Sequence, residues 1–131
     1  MLLPRLGKIQ LHIMQLLWTR GELTARDITL VLNESHALSR STVQTLLRKL
    51  EDKGAIGHTI RDNTFYFHAL VEPDVIRVPA VKGFIDRVFE GSASSLISYL
   101  LKNERISGEE LDQIRNLIQE TREETRREEQ K

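Results

Sequence analysis

Ser41, Gln44, Thr45 and Arg48 recur three and four residues apart, so on an α-helix they share one face. That face offers two hydroxyls, a carboxamide and a guanidinium. Gln44 both donates and accepts, which suits an adenine edge. Arg48 is long enough for guanine or a phosphate, and Ser41 and Thr45 are small enough for close approach. Arg40, Thr42, Lys49 and Lys53 flank them and are expected to meet phosphate, which positions a protein on a duplex without specifying sequence. The helix holds no acid before Glu51 and Asp52, whereas a solvated helix face normally mixes both signs. The chemistry in view is base and backbone recognition of double-stranded DNA. Catalysis finds no constellation to support it. His12, His36, His58 and His68 are scattered without metal-ligand spacing, and no Gly-rich phosphate loop or G-x-S-x-G motif is present. The absence of cysteine removes disulfides, thiolate metal sites and thiol catalysis together, so neither metal nor cofactor is expected.

Groups that read bases need a rigid backing. Val43, Leu46, Leu47 and Leu50 follow the i, i+3, i+4, i+7 pattern and supply an apolar face, with Ser39 as N-cap and Gly54 as stop, predicting a helix from Arg40 to Lys53. Upstream, Gly7 and Gln10 open a helix over 8–20 that Gly21 ends, and Thr24 with Asp27 opens a second that runs to Asn33. Downstream, Ala55–Arg61 and Thr64–Leu70 flank Asp62-Asn63, and Phe65 and Phe67 alternate with Tyr66 and His68, which reads as a β-hairpin. Leu23 can supply a short third strand. Three helices and a hairpin in this order make a winged helix-turn-helix, so the fold class is mainly α with a small β-hairpin. At the wing tip, Arg61, Asn63 and Thr64 are candidates for a phosphate or the minor groove. His58 reads as an exposed strand residue.

The chain divides near Val71–Asp74, giving a DNA-binding domain over 1–72 and a helical dimerisation region with a charged tail over 73–131. Residues 1–71 carry nine Lys and Arg against six Asp and Glu, a net +3, while residues 72–131 carry ten against thirteen, a net −3. One half thus suits a polyanion and the other does not. Beyond the boundary, Pro79 predicts a helix start running to Glu90, Ser92 or Ser94 caps the next helix, and Ser107 with Glu110 makes a capping box for the last. The tail after Gln119 has no apolar residue and reads as a fraying helix end or disorder. Short helices totalling about forty residues rarely bury a core alone. A second copy of the chain is the simplest cover for Phe84, Ile85, Val88, Phe89, Leu96, Ile97, Leu100, Leu101, Leu111, Ile114, Leu117 and Ile118. The N-terminal segment, with Pro4, Arg5 and Lys8 before any long apolar run, makes a poor leader peptide. No stretch reaches the ~20 apolar residues of a membrane span. A cytoplasmic protein without membrane insertion is expected.

Ile13-Met14-Gln15-Leu16-Leu17-Trp18-Thr19-Arg20-Gly21 and the run from Ser41 to Gly54, STVQTLLRKLEDKG, resemble the penicillinase-repressor family, the BlaI/MecI/CopY group. Phe65-Tyr66-Phe67, Glu90-Gly91-Ser92 and Ile106-Ser107-Gly108-Glu109-Glu110-Leu111 fit the same family. The resemblance covers about residues 6–118. It implies a homodimeric transcriptional repressor on a palindromic operator, silencing β-lactamase, other antibiotic-resistance or stress genes. It also implies release by one of two routes: cleavage by a protease linked to a membrane receptor, or metal binding through C-terminal cysteines. Without cysteine the second route is closed. The first would fall at Tyr99–Leu100, where Tyr99 stands in place of the Asn the family leads one to expect. The alternatives are a winged helix that binds protein instead of DNA, and a repressor answering a different signal.

Overall fold

A computed structural model of the chain describes residues 6–131, so Pro4 and Arg5, which bear on the leader reading, lie outside the described residues. Helix α1 (Lys8–Arg20) begins after Gly7, whose N–H donates to Gln10 Oε1 at 3.0 Å, satisfying a group that the helix leaves unpaired. It ends at Gly21, which adopts φ 80°, a left-handed value open to glycine at no steric cost. Strand β1 (Leu23–Thr24) leads directly into α2 (Ala25–Leu32). Thr24 Oγ1 accepts from Asp27 N–H at 3.1 Å, and Thr24 N–H donates to Asp27 Oδ2 at 3.3 Å, closing the expected capping box.

Asn33 then locks the turn. Its amide donates to Thr29 O and Leu38 O at 2.8 and 2.9 Å, and its Oδ1 accepts from Leu38 N–H at 3.0 Å. This one side chain fixes where α3 (Arg40–Asp52) starts, with Ser39 as N-cap accepting from Thr42 N–H at 3.2 Å. Strands β2 (Ile56–Arg61) and β3 (Thr64–Ala69) form the wing, each one residue shorter than the alternation predicts. Asp62 and Asn63 both have positive φ, 51° and 59°, the geometry of a two-residue turn whose twist matches the strands. The sheet order is β1-β3-β2, antiparallel throughout, with Leu23 and His58 both opposite Phe67. Leu23 therefore does supply the third strand, and the winged-helix order stands.

The contacts divide the chain into Met1–Gly83 and Phe84–Lys131, a later division than the one read at 72/73. In the first unit Ile13, Met14, Ile28, Leu32, Val43, Leu47, Leu50 and Ile56 are fully buried in one cluster. Trp18 Nε1 donates to Val71 O at 2.9 Å and ties α1 to the segment after the wing. Helix α4 (Pro73–Val88) corrects the expected start at Pro79. Pro73 occupies the first-turn position where proline is tolerated. Pro79 lies inside the helix, at a cost of about 3 kcal/mol in an unsupported helix. The buried Ile76, part of the first unit's core, is the packing that outweighs the local preference at Val78.

In the second unit, α4 ends through Glu90 and Gly91, both with positive φ. Ser92, not Ser94, caps α5 (Ala93–Asn103), accepting from Ser95 N–H at 3.1 Å. Ser107 Oγ accepts from Glu110 N–H at 3.1 Å at the start of α6 (Gly108–Glu129). The return bond of a full capping box is not made there, a correction to the expected pair. The polar tail continues α6 as helix to Glu129, not as disorder. Phe89 meets Phe84 and Tyr99 with ring centroids 5.8 and 5.7 Å apart. Yet no residue from Phe84 to Lys131 is buried.

Candidate nucleic-acid interface

Helix α3 carries the candidate readers. Its leucine side is anchored: Val43, Leu47 and Leu50 have no solvent exposure, and Leu46 is half-buried against the same core. Its other side stands free. Arg40, Ser41, Thr42, Gln44, Thr45, Arg48 and Lys49 are all exposed, and Lys53, the C-cap, is half-buried. Among the described residues, none of Arg40, Arg48, Lys49 and Lys53 is in an ion pair. Their charges remain available to an external anion. The hydroxyl groups of Ser41, Thr42 and Thr45 are partly engaged. Thr45 Oγ1 donates to Ser41 O at 3.0 Å, and Ser39 Oγ lies 3.1 Å from Ser41 Oγ and 2.9 Å from Thr42 Oγ1. Thr45 thus keeps acceptor capacity and its methyl group for an outside partner.

Between α3 and the wing runs a groove of about 440 Å³. Arg40, Gln44, Arg48 and Glu51 line one wall, and Asn63, Thr64 and Phe65 the other. Of the residues singled out in the sequence, the structure brings Arg40, Gln44, Arg48, Asn63 and Thr64 to this groove. Ser41, Thr42, Thr45, Lys49 and Lys53 do not line it. Arg61 is held elsewhere: its guanidinium is 3.2 Å from Glu22 Oε2 and 4.0 Å from the centre of the Tyr66 ring. That double contact competes with any phosphate for the wing's only Arg.

His58 is not the exposed strand residue read from the alternation. Its ring is half-buried, stacked on Phe65 with centroids 4.1 Å apart and planes 8° from parallel, and its Nδ1 is hydrogen-bonded to Glu51 Oε1. The hairpin register explains the difference. His58, Ile60, Phe65 and Phe67 share the face turned toward α3, because residues opposite each other in the ladder point the same way. Glu22, Glu51, His58, Phe65 and Tyr66 are thus parts of the interface that sequence reasoning missed. The period-two pattern marks Phe65, but six intervening residues hide the pairing of Glu51 with His58.

Comparison with known proteins gives a consistent result. The family model described as penicillinase repressor matches residues 6–120. A penicillinase repressor of Bacillus licheniformis is 27% identical over 119 residues, spanning 90% of this chain and 92% of that protein. The methicillin resistance regulatory protein MecI of Mammaliicoccus sciuri is 27% identical over 107 residues, spanning 82% of this chain and 87% of that protein. The solution structure of the DNA-binding domain of the repressor BlaI matches with a TM-score of 0.51 at 22% identity, covering 56% of this chain and 89% of that one.

Proposed function

This chain belongs to the penicillinase repressor family, a family of DNA-binding transcriptional repressors and not of enzymes, and from that premise we propose that it acts as a homodimer on a palindromic DNA operator. The observation that carries the reading is the disposition of α3: Val43, Leu47 and Leu50 sealed inside, Gln44 and Arg48 exposed beside the wing with no acid paired to Arg48 among the described residues. Ser41, Gln44, Thr45 and Arg48 are assigned to base edges, and Arg40, Thr42, Lys49 and Lys53 to phosphate. Asn63 and Thr64 are the wing contacts, with Arg61 joining only if its Glu22 contact opens.

The C-terminal helices are assigned to self-association. Val88, Ile97, Leu101, Leu111, Leu117 and Ile118 remain between 43 and 60% exposed in a single chain, which fits a face covered by a second copy. The two α3 helices of such a dimer would enter successive major grooves about one helical turn apart, or a small multiple of that. Bound there, the protein would block polymerase. No described helix is long and apolar enough to cross a membrane. A cytoplasmic site of action accords with an operator as target.

Release by proteolysis, through a protease linked to a membrane receptor, is part of the proposal. Tyr99 and Leu100 are 53 and 40% exposed in α5, a helix with no buried residue, so opening it locally for a protease breaks few contacts. Incubating the protein with extract of β-lactam-induced cells and mapping the fragments tests this. A chain that stays intact points to a different signal.

Footprinting on the DNA upstream of the chain's own gene tests the central reading. A symmetric protected patch is the expected result, with affinity falling steeply between low and moderate salt. A salt-insensitive interaction, or none, overturns it in favour of a protein-binding winged helix.

A further inference from the structure

We infer that His58 is a positioning residue for DNA binding, which acts by holding the carboxylate of Glu51 away from Arg48; this rests on the DNA-binding reading above. Among the described residues that line the groove Glu51 is the only acid, and it lies one helical turn from Arg48. A duplex phosphate approaching Arg48 would meet a guanidinium group with a carboxylate one helical turn away. His58 changes what that carboxylate can do. A carboxylate only accepts hydrogen bonds, so the Nδ1 that faces Glu51 Oε1 is the donor. The bond draws Glu51 toward β2 and the foot of the wing. Phe65, stacked flat on the imidazole, holds the ring plane in place.

Glu51 lies one turn after Arg48, a spacing at which a Glu and an Arg on one helix can pair. Yet among the described residues Glu51 pairs with His58 and not with Arg48. Without the imidazole, the carboxylate has two destinations: the Arg48 guanidinium or the groove mouth. The first removes a reader from the DNA, and the second sets a negative charge before the phosphates. Both lower affinity, and both need the charge of Glu51. His58 thus keeps Arg48 free by occupying its nearest rival.

Three variants of the full chain separate this from a merely structural contact. His58→Phe keeps an aromatic ring to stack on Phe65 and removes the donor. Glu51→Gln removes the charge, and the third variant combines the two. The probe is a mixed-sequence duplex long enough for two half-sites, about thirty base pairs, titrated at low salt. Its binding by the unaltered chain reports on the DNA-binding reading separately; no binding at all would sink that reading and this one together. Given that binding, His58→Phe is expected to weaken it roughly three- to tenfold, the size of one uncompensated charge close to phosphate in a partly solvated site. Glu51→Gln binds somewhat tighter than the unaltered chain, and the double variant matches Glu51→Gln. A double variant as weak as His58→Phe overturns the inference, because the loss would then come from the wing's geometry. His58→Phe binding like the unaltered chain overturns it as well.

Discussion

Helices α3 and α6 carry branched aliphatic residues at similar helical spacing, and they meet opposite fates. In α3, Val43, Leu47 and Leu50 are shielded completely by α1, α2 and the wing sheet. In α6, Leu111, Leu117 and Ile118 stay 43, 60 and 45% exposed, and α5 likewise buries nothing fully. The difference lies in what surrounds each stripe. The first unit has three helices, the start of α4 and a sheet to converge on one core, while the second has α5, α6 and the end of α4 without a sheet. An apolar stripe states that a face must be covered; it does not say by what. In α3 the cover is intramolecular, which leaves the polar side rigid for recognition. In α5 and α6 the cover is proposed to come from a second copy.

The sharpest test of that contrast is Leu47→Ala. It empties a fully enclosed position and should lower unfolding free energy by about 3–5 kcal/mol in denaturant titration of the full chain. A loss below about 1 kcal/mol would mean that the core around α3 is far looser than its burial indicates. Next in size, Leu101→Asp should leave the first unit folded yet weaken self-association by roughly 100-fold, about 3 kcal/mol, because a carboxylate would have to be desolvated in the dimer. Sedimentation across a concentration series reads this. Unchanged sedimentation would remove α5 from the proposed interface.

Gln44→Ala acts on the polar side of α3 and should cost about 1–3 kcal/mol on the cognate site with little change on random duplex. Equal losses on both would strip Gln44 of its reading role while leaving the helix a DNA contact. The smallest effect is expected at Ser107→Ala, which removes the cap of α6 and should cost about 1 kcal/mol. If the second unit is stabilised by pairing, that loss appears as a midpoint that shifts further at low protein concentration than at high. A concentration-independent shift would argue that α6 is stabilised within its own chain.

Local signals were legible where one residue does the work. Thr24 with Asp27, Ser39, Gly21 and the Asp62-Asn63 turn set their elements' ends to within a residue, because caps and turns depend on atoms a few positions apart. The helix start at Pro79 failed for the complementary reason. Its local preference was overridden by Ile76, whose burial depends on residues distant in sequence. His58 failed likewise: strand alternation assigns it a face but not what lies beneath that face.

The order of elements, the two sides of α3 and the apolar stripes of the last helices all follow from spacing along the chain, since helix and strand periods are properties of the backbone. Which cations stay free does not. Arg61 was claimed by Glu22 and Tyr66, and Glu51 by His58, because the β1-β3-β2 sheet and its register bring together side chains that the sequence keeps apart. Electrostatic partnership falls off with distance in space, and only the folded chain sets that distance.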